Sequence, residues 1–164
     1  MEQLPFIDEH TQRVDASPDA VWAALARAFR GMERAAWWAR LLGCDPLDLT
    51  PGFAGRTGET VPGFRVVESE PGRRLALRGR HRFARYALTF LVDREGLRAR
   101  TEAEFPGVSG KLYRAAVIGS GAHRVVTRRL LRRIARAAEA GLNPANVPVN
   151  SSASARQGVG LNMP

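Results

Sequence analysis

The stretch VSGKLYRAAVIGSGAHRVVTRRLLRRIARAAE, residues 108–139, carries the only long helical pattern in the chain. Its apolar positions recur at spacings of three and four, which is the pattern of one helix face: Leu112, Ala116, Gly119, Ala122, Val126, Leu130, Ile134 and Ala137. Most of its arginines fall on the other side, and His123 lies near the middle of the apolar face. Gly119 and Gly121 predict a bend. We therefore expect one long, bent helix that covers a large apolar surface.

The segments before this helix can supply such a surface. Residues 74–83 and 97–105 alternate between apolar and charged side chains, which is typical of antiparallel strands with one buried face. Residues 64–70 and 86–92 predict two more strands, and residues 45–62 a weak strand and a loop. Residues 6–14 predict the first strand, one side of which carries Phe6, Asp8, His10, Gln12 and Val14.

Two short helical patterns follow the first strand. Ser17 can cap the first, Pro18 suits its first turn and Gly31 ends it; the second covers residues 32–42. The order of elements predicts an α+β fold: a curved antiparallel sheet of six or seven strands gripping a long C-terminal helix, with two short helices after strand 1. Residues 1–140 form this domain. Residues 141–164 are rich in Asn, Ser, Pro and Gly, and predict a flexible tail.

Composition limits the classes of function. The chain has 164 residues, 25 basic residues with Lys111 as the only lysine, and a net charge of +9. The dense block Arg124–Arg136 is interpreted as the solvated side of the helix, with transient contact to an anionic membrane or to nucleic acid as alternatives. Nucleic acid is the less expected partner, because the block has no aromatic residues for base stacking. The oligomeric state is left open.

Neither a membrane span nor a secretion signal is expected. No apolar run approaches roughly 18 residues, and the first ten residues are acidic and polar, so a cytoplasmic protein is the default expectation. The single cysteine, Cys44, excludes an internal disulfide and is interpreted as a packed, inert thiol. No spacing typical of a metal site or phosphate-binding loop is present, so neither a metal nor a cofactor is expected.

Three stretches of the chain resemble the START/polyketide-cyclase-like superfamily, also called SRPBCC: IDEHTQRVDASPDAVWAAL, FRVVESEPGRRLALRG and the long terminal helix. The resemblance covers roughly residues 6–140. It implies the helix-grip fold and a pocket between the sheet and the last helix. It implies no catalytic residue, since members of this superfamily include lipid carriers, hormone receptors and polyketide cyclases without a shared catalytic motif.

The residue patterns nominate a set of side chains for such a pocket. Those expected to bind a ligand are Leu77, Gly79, His81, Phe83, Tyr86, Leu88, Phe90, Thr101, Phe105, Leu112, Ala116, Gly119, His123 and Trp38. Gly79 would leave room for the ligand to approach. Candidate acid–base groups are His81 and His123, because imidazoles titrate near neutral pH, and Tyr86, whose hydroxyl could orient a ligand or donate a proton. For each histidine a structural role in the core is the competing interpretation.

Three hypotheses for the function follow. The first is binding of a small apolar or aromatic molecule, lipid- or polyketide-like, in a cavity between the sheet and the C-terminal helix. The second is a cyclase- or dehydratase-like enzyme with His81 as acid or base. The third is an electrostatic adaptor that uses the arginine-rich helix face.

Overall fold

The structure, a computed structural model, describes residues 4–32 and 36–141. Its strands are β1 (Phe6–Gln12), β2 (Thr60–Val61), β3 (Phe64–Glu70), β4 (Arg74–His81), β5 (Ala84–Asp93) and β6 (Gly96–Glu104). They form one antiparallel sheet in the order β1-β6-β5-β4-β3-β2. The helices are α1 (Pro18–Arg30), α2 (Ala36–Leu42), α3 (Gly107–Arg114) and α4 (Ala122–Ala140), with a π-helical segment, Ala115–Gly119, between the last two.

This architecture confirms the α+β class and the helix-grip fold, with a sheet of six strands. The first helix begins as its sequence predicts: the Ser17 hydroxyl accepts the Ala20 N–H at 3.3 Å, and Pro18 occupies the first turn. The apolar side of α1 faces the sheet and buries Val21, Leu25 and Phe29. No helix in residues 4–32 or 36–141 is long and apolar enough to cross a membrane.

The C-terminal helical region differs from the expected single helix. Gly121 adopts a left-handed conformation with φ of 76°, which ends the π-helical segment and starts α4 on a new course. The expected apolar face assumes one continuous helix through this break, so it assigns the wrong residues to the buried side. The buried side chains of α4 are Thr127, Leu131, Ile134, Ala135 and Ala138.

Several residues assigned to the inner helix face lie outside. Leu112 is 69% exposed and Val126 is 64% exposed. Ala116, Gly119 and Ala122 are exposed as well. Ile134 alone of the expected set is fully buried. The reason is that the π-helical segment and the Gly121 turn rotate the two α-helices relative to each other.

A β-bulge corrects the expected face of the first strand. The pairing of β1 with β6 shifts between Phe6 and Asp8, so Phe6 turns to the outer side, where it is 56% exposed. There the Arg100 guanidinium lies 5.2 Å from its ring centroid. Asp8 and His10 keep the inner side, opposite Thr101 and Ala99 of β6. The bulge is invisible in the alternation because Phe6 and Ile7 are both apolar.

The inner sheet face is divided into two halves. One half contains Leu75, Phe90 and Ala99, which are neighbours on three adjacent strands. Helix α1 and the second half of α4 pack on this half and form the core with it. Phe53, from the loop before β2, is fully buried there. On the other half, beyond the Leu77–Leu88–Thr101 row, α2 and α3 lie over the sheet instead.

The loop before β2 is held by a single carboxylate. Glu59 Oε2 accepts the backbone N–H groups of Ala54 at 2.8 Å, Gly55 at 2.8 Å and Arg56 at 3.0 Å. Partial burial alone would raise the pKa of Glu59, but these donors and the Arg56 charge lower it. This arrangement fixes the loop directly after Phe53, so it also holds that ring in the core. The predicted flexible tail lies, apart from Gly141, outside the described residues.

We expect Glu59→Gln to lower the free energy of unfolding by about 1–2 kcal/mol, because a neutral amide oxygen replaces a charged acceptor of three hydrogen bonds. Urea denaturation measures the change. Glu70→Gln is the matched control: its exposed ion pair with Arg73, at 3.8 Å, should contribute less than about 0.5 kcal/mol. Equal losses for the two variants would contradict the role assigned to Glu59.

Candidate functional site

A cavity of about 320 Å³ lies between the uncovered half of the sheet and the helices above it. Strands β4, β5 and β6 form its floor, and α2, α3, the π-helical segment and the first turn of α4 form its sides and roof. Most of the wall is apolar or aromatic. Its polar side chains are Cys44, His81, Tyr86, Thr101, Tyr113 and His123.

Seven of the fourteen residues nominated for ligand binding lie in this wall: Trp38, His81, Tyr86, Leu88, Thr101, Phe105 and His123. Two others, Leu77 and Phe90, are fully buried and belong to the core instead. They point to the inner face as expected, but they stand on the half of the sheet that α1 and α4 cover. Periodicity identifies a face of a strand, and it does not show where along that face the helices pack.

The remaining five nominated residues lie away from the cavity wall. Leu112, Ala116 and Gly119 are on the exposed side of their helical segments. Phe83 lies in the turn between β4 and β5 and stacks on the Tyr113 ring, with centroids 5.3 Å apart. Gly79 does leave space on the inner face, but the backbone of Gly63 fills it, since a Cβ at Gly79 would collide with the Gly63 carbonyl.

His81 faces the cavity as a hydrogen-bond donor. Its Nδ1 accepts the backbone N–H of Phe83 at 3.1 Å, so the neutral ring carries its proton on Nε2. Burial lowers the pKa of His81, which favours this neutral form. The ring packs edge-on against Tyr113, with centroids 4.9 Å apart. A ring fixed in this way donates through Nε2–H, and it is poorly arranged to accept a proton.

The Tyr86 hydroxyl uses its proton in a hydrogen bond within the protein. Its hydroxyl donates to the Gly63 carbonyl oxygen at 2.9 Å, and burial raises its pKa well above the ordinary value. The Cys44 sulfur lies 3.9 Å from the same hydroxyl oxygen, and burial raises the thiol pKa. Cys44 therefore stays a thiol, as its interpretation as an inert group requires. It is partly buried and lies in the cavity wall.

His123 is held from the opposite side of the cavity. Its Nε2 lies 3.2 Å from Thr101 Oγ1 and 3.4 Å from Asp8 Oδ1. A nitrogen lone pair facing a carboxylate would be repelled, so the proton belongs on Nε2 and the lone pair on Nδ1. Thr101 then accepts from Nε2–H.

Asp8 is the site residue that the sequence reasoning did not single out. Its side chain is 12% exposed and lies between two imidazoles, because His10 Nε2 is 3.3 Å from Oδ2. The signal was present: the alternation placed Asp8 on the inner face beside His10, and a carboxylate on such a face needs a partner. Within residues 4–32 and 36–141, no three side chains of His, Cys, Asp or Glu are arranged to hold a metal ion.

The fold and site define a helix-grip protein with a mainly apolar cavity between its sheet and its helices. Comparison with protein families gives the assignment: residues 9–139 match the model of the family described as polyketide cyclase / dehydrase and lipid transport, and the chain belongs to that family. No curated protein matches the chain.

The chain is also similar to solved structures, at low sequence identity. Protein CV1439 from Chromobacterium violaceum is 15% identical, with a TM-score of 0.50, over 82% of this chain and 99% of that one. Protein MLL2253 from Mesorhizobium loti is 16% identical, with a TM-score of 0.45, over 79% of this chain and 94% of that one.

The lowered pKa of His81 predicts a pH dependence of stability. The ordinary pKa is 6.5, so well above that pH the ring is neutral in both the folded and the unfolded chain and does not affect stability. As the pH falls below it, the unfolded chain takes up this proton first, and the free energy of unfolding decreases. His81→Gln should therefore flatten the loss of stability between about pH 7 and pH 5. Denaturant titrations of both proteins across this range check it; parallel curves would contradict the shift.

Proposed function

We propose that the chain binds a small, mainly apolar molecule with an aromatic or polyketide-like skeleton in the cavity between the sheet and the helices. The observation that carries the proposal is the cavity itself: about 320 Å³, walled largely by apolar and aromatic groups, with a few polar groups at fixed positions. Ligand sites in proteins have this composition, and their volumes begin near this size. We therefore expect a ligand at the small end of the range that protein cavities bind.

The polar groups of the wall indicate which polar groups the ligand carries. His81, at the end of β4, and the Thr101–His123 pair, from β6 and α4, all line the cavity, and the Phe83 contact leaves the Nε2–H of His81 for a ligand. These polar groups suit a planar molecule with carbonyl or hydroxyl groups. The aromatic side chains between them, Phe64, Tyr86 and Tyr113, favour a flat, unsaturated skeleton through edge and face contacts.

Filling the cavity should abolish binding. Ala103 lies in the floor and is buried, so Ala103→Phe places a ring in the space proposed for the ligand. We expect at least a tenfold weaker affinity for 2-naphthol, measured by the change in its fluorescence. Leu112→Phe, on the exposed side of α3, is the control and should bind normally. If both variants bind 2-naphthol like the wild type, the cavity is not its site.

Acid–base catalysis is a second candidate, and one specific observation favours it. The two cavity histidines present opposite groups: His81 a fixed N–H, and His123 an Nδ1 lone pair. Such a pair suits an enolisable ketone. His123 Nδ1 would take the α-proton, the C–H electron pair would form the C=C bond of the enolate, the carbonyl π pair would move to the oxygen, and His81 Nε2–H would stabilise that oxygen. Asp8 acts as a positioning residue that keeps the proton of His123 on Nε2.

Hydrogen exchange of a simple ketone tests this candidate without knowledge of the substrate. The wild-type protein in D₂O should accelerate loss of the α-proton signal of 2-tetralone, followed by NMR. His123→Gln should reduce the protein-dependent rate about a hundredfold or more, while Arg124→Gln, its exposed neighbour, should not change it. Asp8→Asn should also displace the pH profile of the rate. A wild-type protein that binds 2-tetralone without exchange would exclude the enzymatic candidate and leave the binding proposal standing.

A further inference from the structure

The helices around the cavity expose large apolar side chains. Nine large apolar residues are exposed in the described part of the chain, and seven of them lie on α2, α3 and α4. Trp37 and Leu41 are on α2, Val108 and Leu112 on α3, and Val125 and Val126 on α4, with exposures between 48% and 76%. The seventh, Trp38, is half-exposed and also lines the cavity. Exposed apolar groups concentrated in this way mark an interaction surface.

The same helices are strongly basic and contain no acidic residue until the end of α4. Between Phe105 and Ala138 the sequence has eight cationic side chains and no Asp or Glu; they are Lys111, Arg114, Arg124, Arg128, Arg129, Arg132, Arg133 and Arg136. By contrast, many arginines of the sheet have carboxylate partners, such as Arg98 with Glu9 and Asp93. No carboxylate in the described ranges pairs with an arginine of α4.

This arrangement is costly in the isolated protein. Arg124, Arg128 and Arg132 are spaced four residues apart on one helix, as are Arg129 and Arg133, and like charges at that spacing destabilise a helix. The burial of Leu131, Ile134 and Ala138 against the core holds α4 in place despite the repulsion. A polyanionic partner would remove the cost.

We propose that the exposed surface of α2, α3 and α4 docks on a lipid bilayer that contains anionic phospholipids. Arginines interspersed with apolar side chains, Val125 and Val126 among them, match the headgroup region, where charge attraction and shallow apolar insertion act together. Tryptophan suits the same depth. The cavity is bordered by these helices, so docking would bring its edge to the membrane.

Charge and geometry disfavour other occupants. A second copy would bring the same unpaired cations face to face, so electrostatic repulsion opposes a dimer through this surface. Single-stranded nucleic acid needs separate aromatic platforms for its bases. Here Trp37 and Trp38 stack on each other, with centroids 4.1 Å apart, and α4 carries no aromatic residue.

Vesicle flotation with the full chain tests the proposal. The wild type should float with vesicles of about seven parts phosphatidylcholine to three parts phosphatidylglycerol, and should not float with pure phosphatidylcholine. Raising the salt from about 0.05 to about 0.5 M should release it. The double variant Arg129→Gln/Arg133→Gln should partition roughly ten- to thirtyfold more weakly. Trp37→Ser should weaken partitioning without changing the salt dependence.

The matched control removes two charges elsewhere. Arg73→Gln/Arg94→Gln alters exposed arginines in the turns after β3 and β5, and should reduce partitioning far less than the α4 double variant. Equal losses would show that net charge alone is responsible and would overturn the assigned surface. Equal binding to pure phosphatidylcholine, or binding to a single-stranded oligonucleotide but not to anionic vesicles, would overturn the proposed partner. No cavity ligand enters the assay, so its outcome is independent of the proposed function.

Discussion

Phe29 of α1 packs edge-on against Phe90 of β5, with ring centroids 5.7 Å apart. This contact determines which half of the inner sheet face α1 covers. The same ring lies 5.9 Å from Phe53 of the loop before β2. Together these contacts anchor α1 and the loop over one half of the inner face, where burial of large aromatic groups contributes most to stability. The other half lies under α2 and α3 instead, and it becomes the floor of the cavity.

The covering of that second half explains why a cavity remains there. The segments above it are α2, of seven residues, α3, of eight residues, and a π-helical segment of five residues. Such short elements present few inward side chains, and the floor beneath them includes the small residues Ala84 and Ala103. The core is well filled because a 13-residue and a 19-residue helix meet there. The difference in helix length along the sheet therefore separates core from cavity.

The fold was predictable from the sequence because its signals are local. Alternation in 74–83 and 97–105, the Ser17 cap and the long basic helix each act within a few residues. The buried side of the last helix was not predictable, because one glycine in a left-handed conformation, Gly121, interrupts the helix that the pattern assumed to be continuous. The cavity residues were half predictable. His81 and Thr101 follow from the strand face, whereas the exclusion of Leu77 and Phe90 depends on where α1 packs, which no local pattern contains.

The two histidines that line the cavity are held in place in different ways by the elements around them. His81 ends β4, and the two-residue turn that follows directs the Phe83 N–H at its Nδ1. His123 begins α4 above β1, where the register of Asp8 with Thr101 places a carboxylate and a hydroxyl at its Nε2. The bulge after Phe6 contributes to that register. The two rings that line the cavity are therefore held by different partners, His81 by a backbone N–H of the following turn and His123 by side chains of β1 and β6.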